Sequence, residues 1–177
     1  MRLLRALLVW LAVVLLFDLA PHRSVEGTAG SPERRKFPHE TLAIILNRSN
    51  PVKNLTFEEL RKIFMGERSR WPNGHRVIVT MMGPGYSERE VMLRDVYRMT
   101  EKDYQDHFFK GTYTEDIPVS PKTLSSPDIL RKFVFNAPGA IGYLRASDLD
   151  GSVKVVSIDG HLPDDLDYKL QIGGQGK

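Results

Sequence analysis

The chain has 177 residues, 41% of them hydrophobic, which suffices for one packed domain with extensions and excludes a disordered or fibrous chain. Lys and Arg number 25 against 22 for Asp and Glu, and a net charge of +3 excludes the dense basic stripe of a nucleic-acid binder, so nucleic acid is not expected as a partner. Cysteine is absent, which excludes disulfides, thiolate metal sites, cysteine nucleophiles and a lipidated cysteine.

In chain order, Met1 to Arg5 carries two positive charges and Ala6 to Phe17 follows without a polar side chain, the layout of a secretory signal. Residues 1–24 are therefore expected to be a signal peptide or signal anchor. Small residues near the end of this stretch fit a cleavage site only loosely, so cleavage and retention both stay open. The expected localisation is exported: periplasmic, or tethered to the inner membrane by an uncleaved N-terminal segment. Residues 25–40, rich in Pro, Gly, Ser and charge, read as a flexible linker. Residues 41–160 read as the folded domain and 161–177 as a polar tail that could be loose.

Thr41 to Leu46 and Arg76 to Met82 are apolar, β-branched runs of strand length. Between them Thr56-Phe57-Glu58-Glu59 has the layout of a capping box and should open a helix whose Phe57, Leu60, Ile63 and Phe64 share one face. Gly66 is placed to end it in a left-handed conformation, and Arg70-Trp71-Pro72-Asn73-Gly74 reads as a turn. After the second strand, Gly83-Pro84-Gly85-Tyr86 breaks the chain, and Ser87-Glu88-Arg89-Glu90 predicts a second capping box with Met92, Leu93, Val96 and Met99 behind it. A third helix should start at Thr100 and end near Gly111, followed by a long polar loop from Thr112 to Thr123. Ser126, Pro127 and Asp128 open a fourth, with Ile129, Leu130, Phe133 and Val134 expected to face the core. Strands over Ala140 to Leu144 and Val153 to Ile158 complete an alternating order that predicts an α/β fold, a mixed or parallel sheet flanked by helices.

Glycines before a capped helix leave backbone amides free beside the positive end of the helix dipole. Gly83, Gly85, Tyr86 and Ser87 are therefore candidates to hold an anion, with Arg89 the arginine placed to assist. Ser125 and Ser126 at the start of the fourth helix form a second candidate, which would join the first if both helix starts lie at one end of the sheet. No hydrolase motif is complete, since the stretch around Ser87 lacks the closing glycine of a nucleophile elbow, and an enzyme is not expected. The five histidines stand singly, without metal-ligand spacing, so neither a metal nor a cofactor is expected.

Asn54-Leu55-Thr56-Phe57-Glu58-Glu59-Leu60-Arg61-Lys62-Ile63-Phe64-Met65-Gly66, the Arg70-Trp71-Pro72-Asn73-Gly74 turn and the late Gly139-Ala140-Ile141-Gly142-Tyr143 together resemble the phosphate-binding solute receptors of bacterial ABC transporters, within the type 2 periplasmic binding protein superfamily. The resemblance runs from about Leu42 to Ile158 and is to a single lobe. It implies a non-catalytic solute-binding-like module, with phosphate or a related small anion as ligand and a membrane transporter or sensor protein as partner. In those receptors the loop after the strand carries an Arg and an Asp ahead of Ser-Gly-Thr. Here it reads Met81-Met82-Gly83-Pro84-Gly85-Tyr86-Ser87, so only Ser87 and the loop amides carry across. An envelope protein-interaction or sensor-accessory module that kept the fold and lost the ligand is the alternative.

Overall fold

The computed structural model describes residues 40–114 and 120–173; the expected signal segment, most of the linker, the middle of the polar loop and the last four residues lie outside them. Leu42–Leu46 (β1), Ile78–Met82 (β3), Lys122–Leu124 (β4), Ala140–Arg145 (β5) and Lys154–Val155 (β6) form one sheet in the order β4-β3-β5-β1-β6. β3 runs parallel to both β4 and β5, while β1 is antiparallel to β5 and β6. Asn54–Leu55 (β2) and Ser157–Ile158 (β7) make a separate two-stranded parallel ribbon. The single apolar run expected over Val153 to Ile158 is thus divided between two sheets.

β1 is fully buried, as its unbroken apolar run requires of a strand covered on both faces. α1 (Phe57–Phe64) starts at the expected capping box: Thr56 Oγ1 accepts from the Glu59 amide at 3.1 Å, and the Glu59 carboxylate accepts from the Thr56 amide at 2.9 Å. Gly66, at φ 81°, follows its end. Trp71 is buried, and its indole nitrogen donates to the Gly139 carbonyl at 2.8 Å, fastening the tryptophan turn to the start of β5.

α4 (Pro127–Asn136) lies across β5, β3 and β1, opened by Ser126, whose hydroxyl accepts from the Ile129 amide at 3.2 Å. Only Leu130 and Val134 of its four expected core residues are buried, while Phe133 is half-buried and Ile129 exposed. Gly142 sits beneath α4, and a methyl there would overlap Thr80 Oγ1 and lie 2.7 Å from Leu130 Cδ2. Its neighbour Tyr143 points to the opposite face, as strand alternation demands, toward the Phe64 ring of α1. Asn47, just after β1, is buried, and its amide donates to the Val134 and Phe135 carbonyls at the end of α4.

The second helix departs from expectation. Tyr86, not Ser87, is the N-cap of α2 (Ser87–Val91) and makes no side-chain cap bond, its hydroxyl reaching the Ser125 carbonyl instead, while the Ser87 hydroxyl accepts from Arg145. α2 widens into a π-helical segment, Met92–Tyr97, which Arg98 ends at φ 56°. Arg61 of α1 donates to the Val96 carbonyl at 3.1 Å, satisfying one acceptor at that end. α3 (Glu101–Thr114) opens at Thr100, whose hydroxyl and amide both bond Asp103, and continues past Gly111. β4 overlaps the end of the expected loop; its residues are mostly exposed, so no apolar alternation announced it.

The start of the polar tail is not loose. Tyr168 and Leu170 are buried, the Tyr168 hydroxyl donates to the Leu42 carbonyl at 2.9 Å, and the Leu42 amide donates to the Leu170 carbonyl at 2.8 Å. Residues 161–172 thereby cover the start of β1. No helix among the described residues is long and apolar enough to cross a membrane.

Candidate functional site

Three parallel strands end along one edge of the sheet, where α/β folds place their ligand sites. β3 delivers the Gly83–Tyr86 turn and α2 to that edge, β4 delivers Ser125, Ser126 and α4, and β5 delivers Arg145. Antiparallel β1 begins at the same edge, pairing Leu42 with Arg145, so Glu40 stands there too.

The Gly83 amide donates to the Leu124 carbonyl at 3.1 Å and joins the two loops. Gly85 adopts φ 90° with open space around it, a conformation that favours glycine. The Tyr86 hydroxyl reaches across to the Ser125 carbonyl at 2.6 Å, so the starts of α2 and α4 are stitched together. Among the described residues no acceptor meets the Gly85 and Tyr86 amides. Gly83, Gly85, Tyr86, Ser87, Ser125 and Ser126 thus form one cluster, although Ser126 already spends its hydroxyl on the helix cap.

Arg89 is not in that cluster as a free cation. It is almost wholly buried, forks onto Glu101 with bonds of 2.8 and 2.9 Å, and donates to the Met82 carbonyl at 2.7 Å. Its guanidinium also lies over the Tyr104 ring, 4.6 Å from the centroid. Hydrogen bonding from Arg89 holds the Glu101 carboxyl below its usual range, while burial pushes the Tyr104 hydroxyl up to about 12. This ion pair braces α3 against the end of β3. An open cavity of about 700 Å³ lies alongside, lined in part by Gly85, Leu93, Arg98 and Met99. Burial likewise raises the Tyr143 hydroxyl, which accepts from the Met82 amide at 2.8 Å.

The cation beside Ser87 is instead Arg145, which sequence reasoning missed. Its Nη2 donates to Ser87 Oγ at 2.7 Å, its Nε pairs with Glu88, and its Nη1 pairs with Glu40. Glu88 is buried and Glu40 exposed. Position was the available signal: a polar residue ending a parallel strand falls at the edge where such folds bind ligands. Among the described residues no group of three potential ligands could hold a metal.

No family model matches the chain. It is 30% identical over 124 residues to the phosphate-binding protein PstS of Bacillus subtilis, a match covering 70% of this chain and 37% of that protein. Its fold is similar to an ABC-type phosphate transport receptor from Vibrio cholerae, with a TM-score of 0.58 at 20% identity, covering 74% of this chain and 53% of the receptor. It is also similar to a phosphate ABC transporter substrate-binding protein from Clostridium perfringens that holds bound phosphate, with a TM-score of 0.56 at 23% identity over 68% of this chain and 46% of that one. The chain thus spans about half or less of the length of each. By sequence and by fold, the chain is thus similar to part of a phosphate-binding receptor, a mixed α/β sheet flanked by helices.

Proposed function

We propose that this chain is an exported, non-catalytic solute-binding module that takes phosphate or a related small anion at the edge formed by Gly83, Gly85, Tyr86, Ser87, Ser125 and Ser126. The observation that carries the reading is the Tyr86–Ser125 bond, which holds two helix starts side by side with the Gly85 and Tyr86 amides left over. The matched proteins support it, being named for phosphate binding or phosphate transport. In this reading the N-terminal segment directs export or tethers the lobe to the membrane, and a membrane transporter or sensor is the partner. A lone lobe leaves its ligand half solvated, where each helix end contributes only about 0.3 to 1 kcal/mol, so binding is weak.

The test is the melting temperature of the purified chain across phosphate, sulfate, nitrate and small carboxylates at constant ionic strength. A ligand bound only by the native state adds about 2.7 kcal/mol at one hundred times its Kd. Phosphate should raise the melting temperature selectively, and Ser87→Ala should abolish the rise. Ser87 is not the N-cap, but its hydroxyl bonds Arg145 and Glu88, so that variant should lose about 1 to 3 kcal/mol of stability, and its response to phosphate is read against its own ligand-free melting temperature, which separates binding from folding. The second reading, an envelope protein-interaction module, is favoured by the exposure of Ile129 and Phe135 on α4, 46% and 53% respectively. A flat anion panel together with a reproducible partner crosslinked to α4 would establish it.

A further inference from the structure

Arg145 makes three side-chain bonds to three different residues, and these differ in how readily they exchange. The Glu88 side chain is 6% exposed, pairs with Arg145 Nε, and its other oxygen accepts from Ser87 Oγ at 3.3 Å. Ser87 Oγ accepts from Nη2 at 2.7 Å. These two contacts fix the plane of the guanidinium, because releasing Glu88 would leave a buried carboxylate unpaired. Glu40, on Nη1, has a side chain 53% exposed. Its backbone is anchored separately, the carbonyl accepting from the Ile172 amide at 2.6 Å, so the side chain can swing into water without unpicking β1.

Charge points the same way. With both carboxylates in place the trio of Arg145, Glu88 and Glu40 carries one net negative charge beside Ser87, an environment that repels an anion. With Glu40 swung away the trio is neutral, and Nη1 is free next to the Ser87 hydroxyl. Exposed ion pairs of this kind are weak and readily exchanged, whereas an oxyanion suits the planar donor fork of arginine.

We propose that Arg145 is the cation of the anion site and that Glu40 is its internal competitor, a carboxylate that occupies the guanidinium until an oxyanion displaces it. The proposal rests on the anion-binding reading above and adds the residue that recognises the charge and the one that sets the threshold.

The test titrates inorganic phosphate into the full chain by calorimetry, comparing wild type with Glu40→Gln, Arg145→Lys, their double variant, and Glu67→Gln as a surface control. Glu40→Gln should tighten phosphate binding by about threefold to tenfold, the range expected from removing an exposed competing charge. Arg145→Lys should weaken it by about tenfold, and in that background Glu40→Gln should have little further effect. Melting curves without phosphate check that each variant is folded; Glu40→Gln retains the Arg145–Glu88 pair and should melt close to wild type. If wild type binds phosphate and Glu40→Gln matches Glu67→Gln, the competitor role is overturned while the anion-binding reading stands. Unchanged binding in a folded Arg145→Lys removes the cation role in the same way. If neither wild type nor Glu40→Gln binds phosphate, both the proposal and the reading beneath it fall.

Discussion

Gly142→Ala tests whether the Gly-Ala-Ile-Gly-Tyr segment is kept for packing rather than for a ligand. Gly142 lies in the middle of β5, between β1 and β3 and under α4. A methyl group there overlaps Thr80 Oγ1, sits 2.7 Å from Leu130 Cδ2 and 3.4 Å from Val134 Cγ2. Leu130 can give a little by turning its chain end, but Thr80 is held by its own bond to the Ile141 carbonyl at 2.9 Å. Forcing a methyl into such a core costs about 1 to 3 kcal/mol. Loss of the Thr80 bond adds about 1 kcal/mol, and reduced freedom of the unfolded chain returns about 0.4 to 1 kcal/mol. The net expectation is a loss of about 1 to 4 kcal/mol, a melting temperature lower by roughly 3 to 15 °C for a domain of this size. Urea unfolding should show a lower midpoint with an unchanged slope. Thr80→Ala should relieve the overlap, so the double variant should lose at least about 1 kcal/mol less than the sum of the singles. A Gly142→Ala change below about 0.5 kcal/mol, or strict additivity with Thr80→Ala, would refute the packing argument.

Asn47→Ala leaves the last carbonyls of α4 without their buried donor and should cost about 2 to 3 kcal/mol in urea unfolding; a loss under about 0.5 kcal/mol would mean that solvent serves those carbonyls equally well. Tyr168→Phe should cost about 1 kcal/mol through its bond to Leu42, and Tyr168→Ala about 3 to 5 kcal/mol by analogy with other buried aromatics. Near-wild-type stability in Tyr168→Ala would show that the C-terminal segment contributes little to the core. Because the folded Glu101 carboxyl titrates below its unfolded value, its contribution is present above about pH 4.3 and is lost as pH falls through the lower folded value. Glu101 is 38% exposed, so solvent screening keeps the difference below about 1 kcal/mol. Wild type should therefore lose slightly more stability than Glu101→Gln between pH 6 and pH 3, and parallel curves would argue against the pair.

Local chemistry made much of the fold legible in the sequence. The Thr56–Glu59 capping box, the Ser126 cap with Pro127 behind it, the left-handed Gly66 and the apolar run of β1 are short-range features, and each folds as its own residues require. The turn of Gly83 to Tyr86 and the two serines before α4 were legible as loops before helices for the same reason. What the sequence did not disclose depends on partners far along the chain. β4 is an exposed edge strand that exists because Met81 and its neighbours offer it a ladder, not because its own residues alternate. Ser87 resembles a cap until Arg145, 58 residues later, claims its hydroxyl. Arg89 resembles a surface cation until Glu101 and the Met82 carbonyl enclose it. The tail reads as polar because only a few of its side chains, Tyr168 and Leu170 among them, reach the core. Caps and periodicity are determined within a few residues, whereas the ownership of a charge or a hydroxyl is decided only when strand order brings distant residues to the same edge.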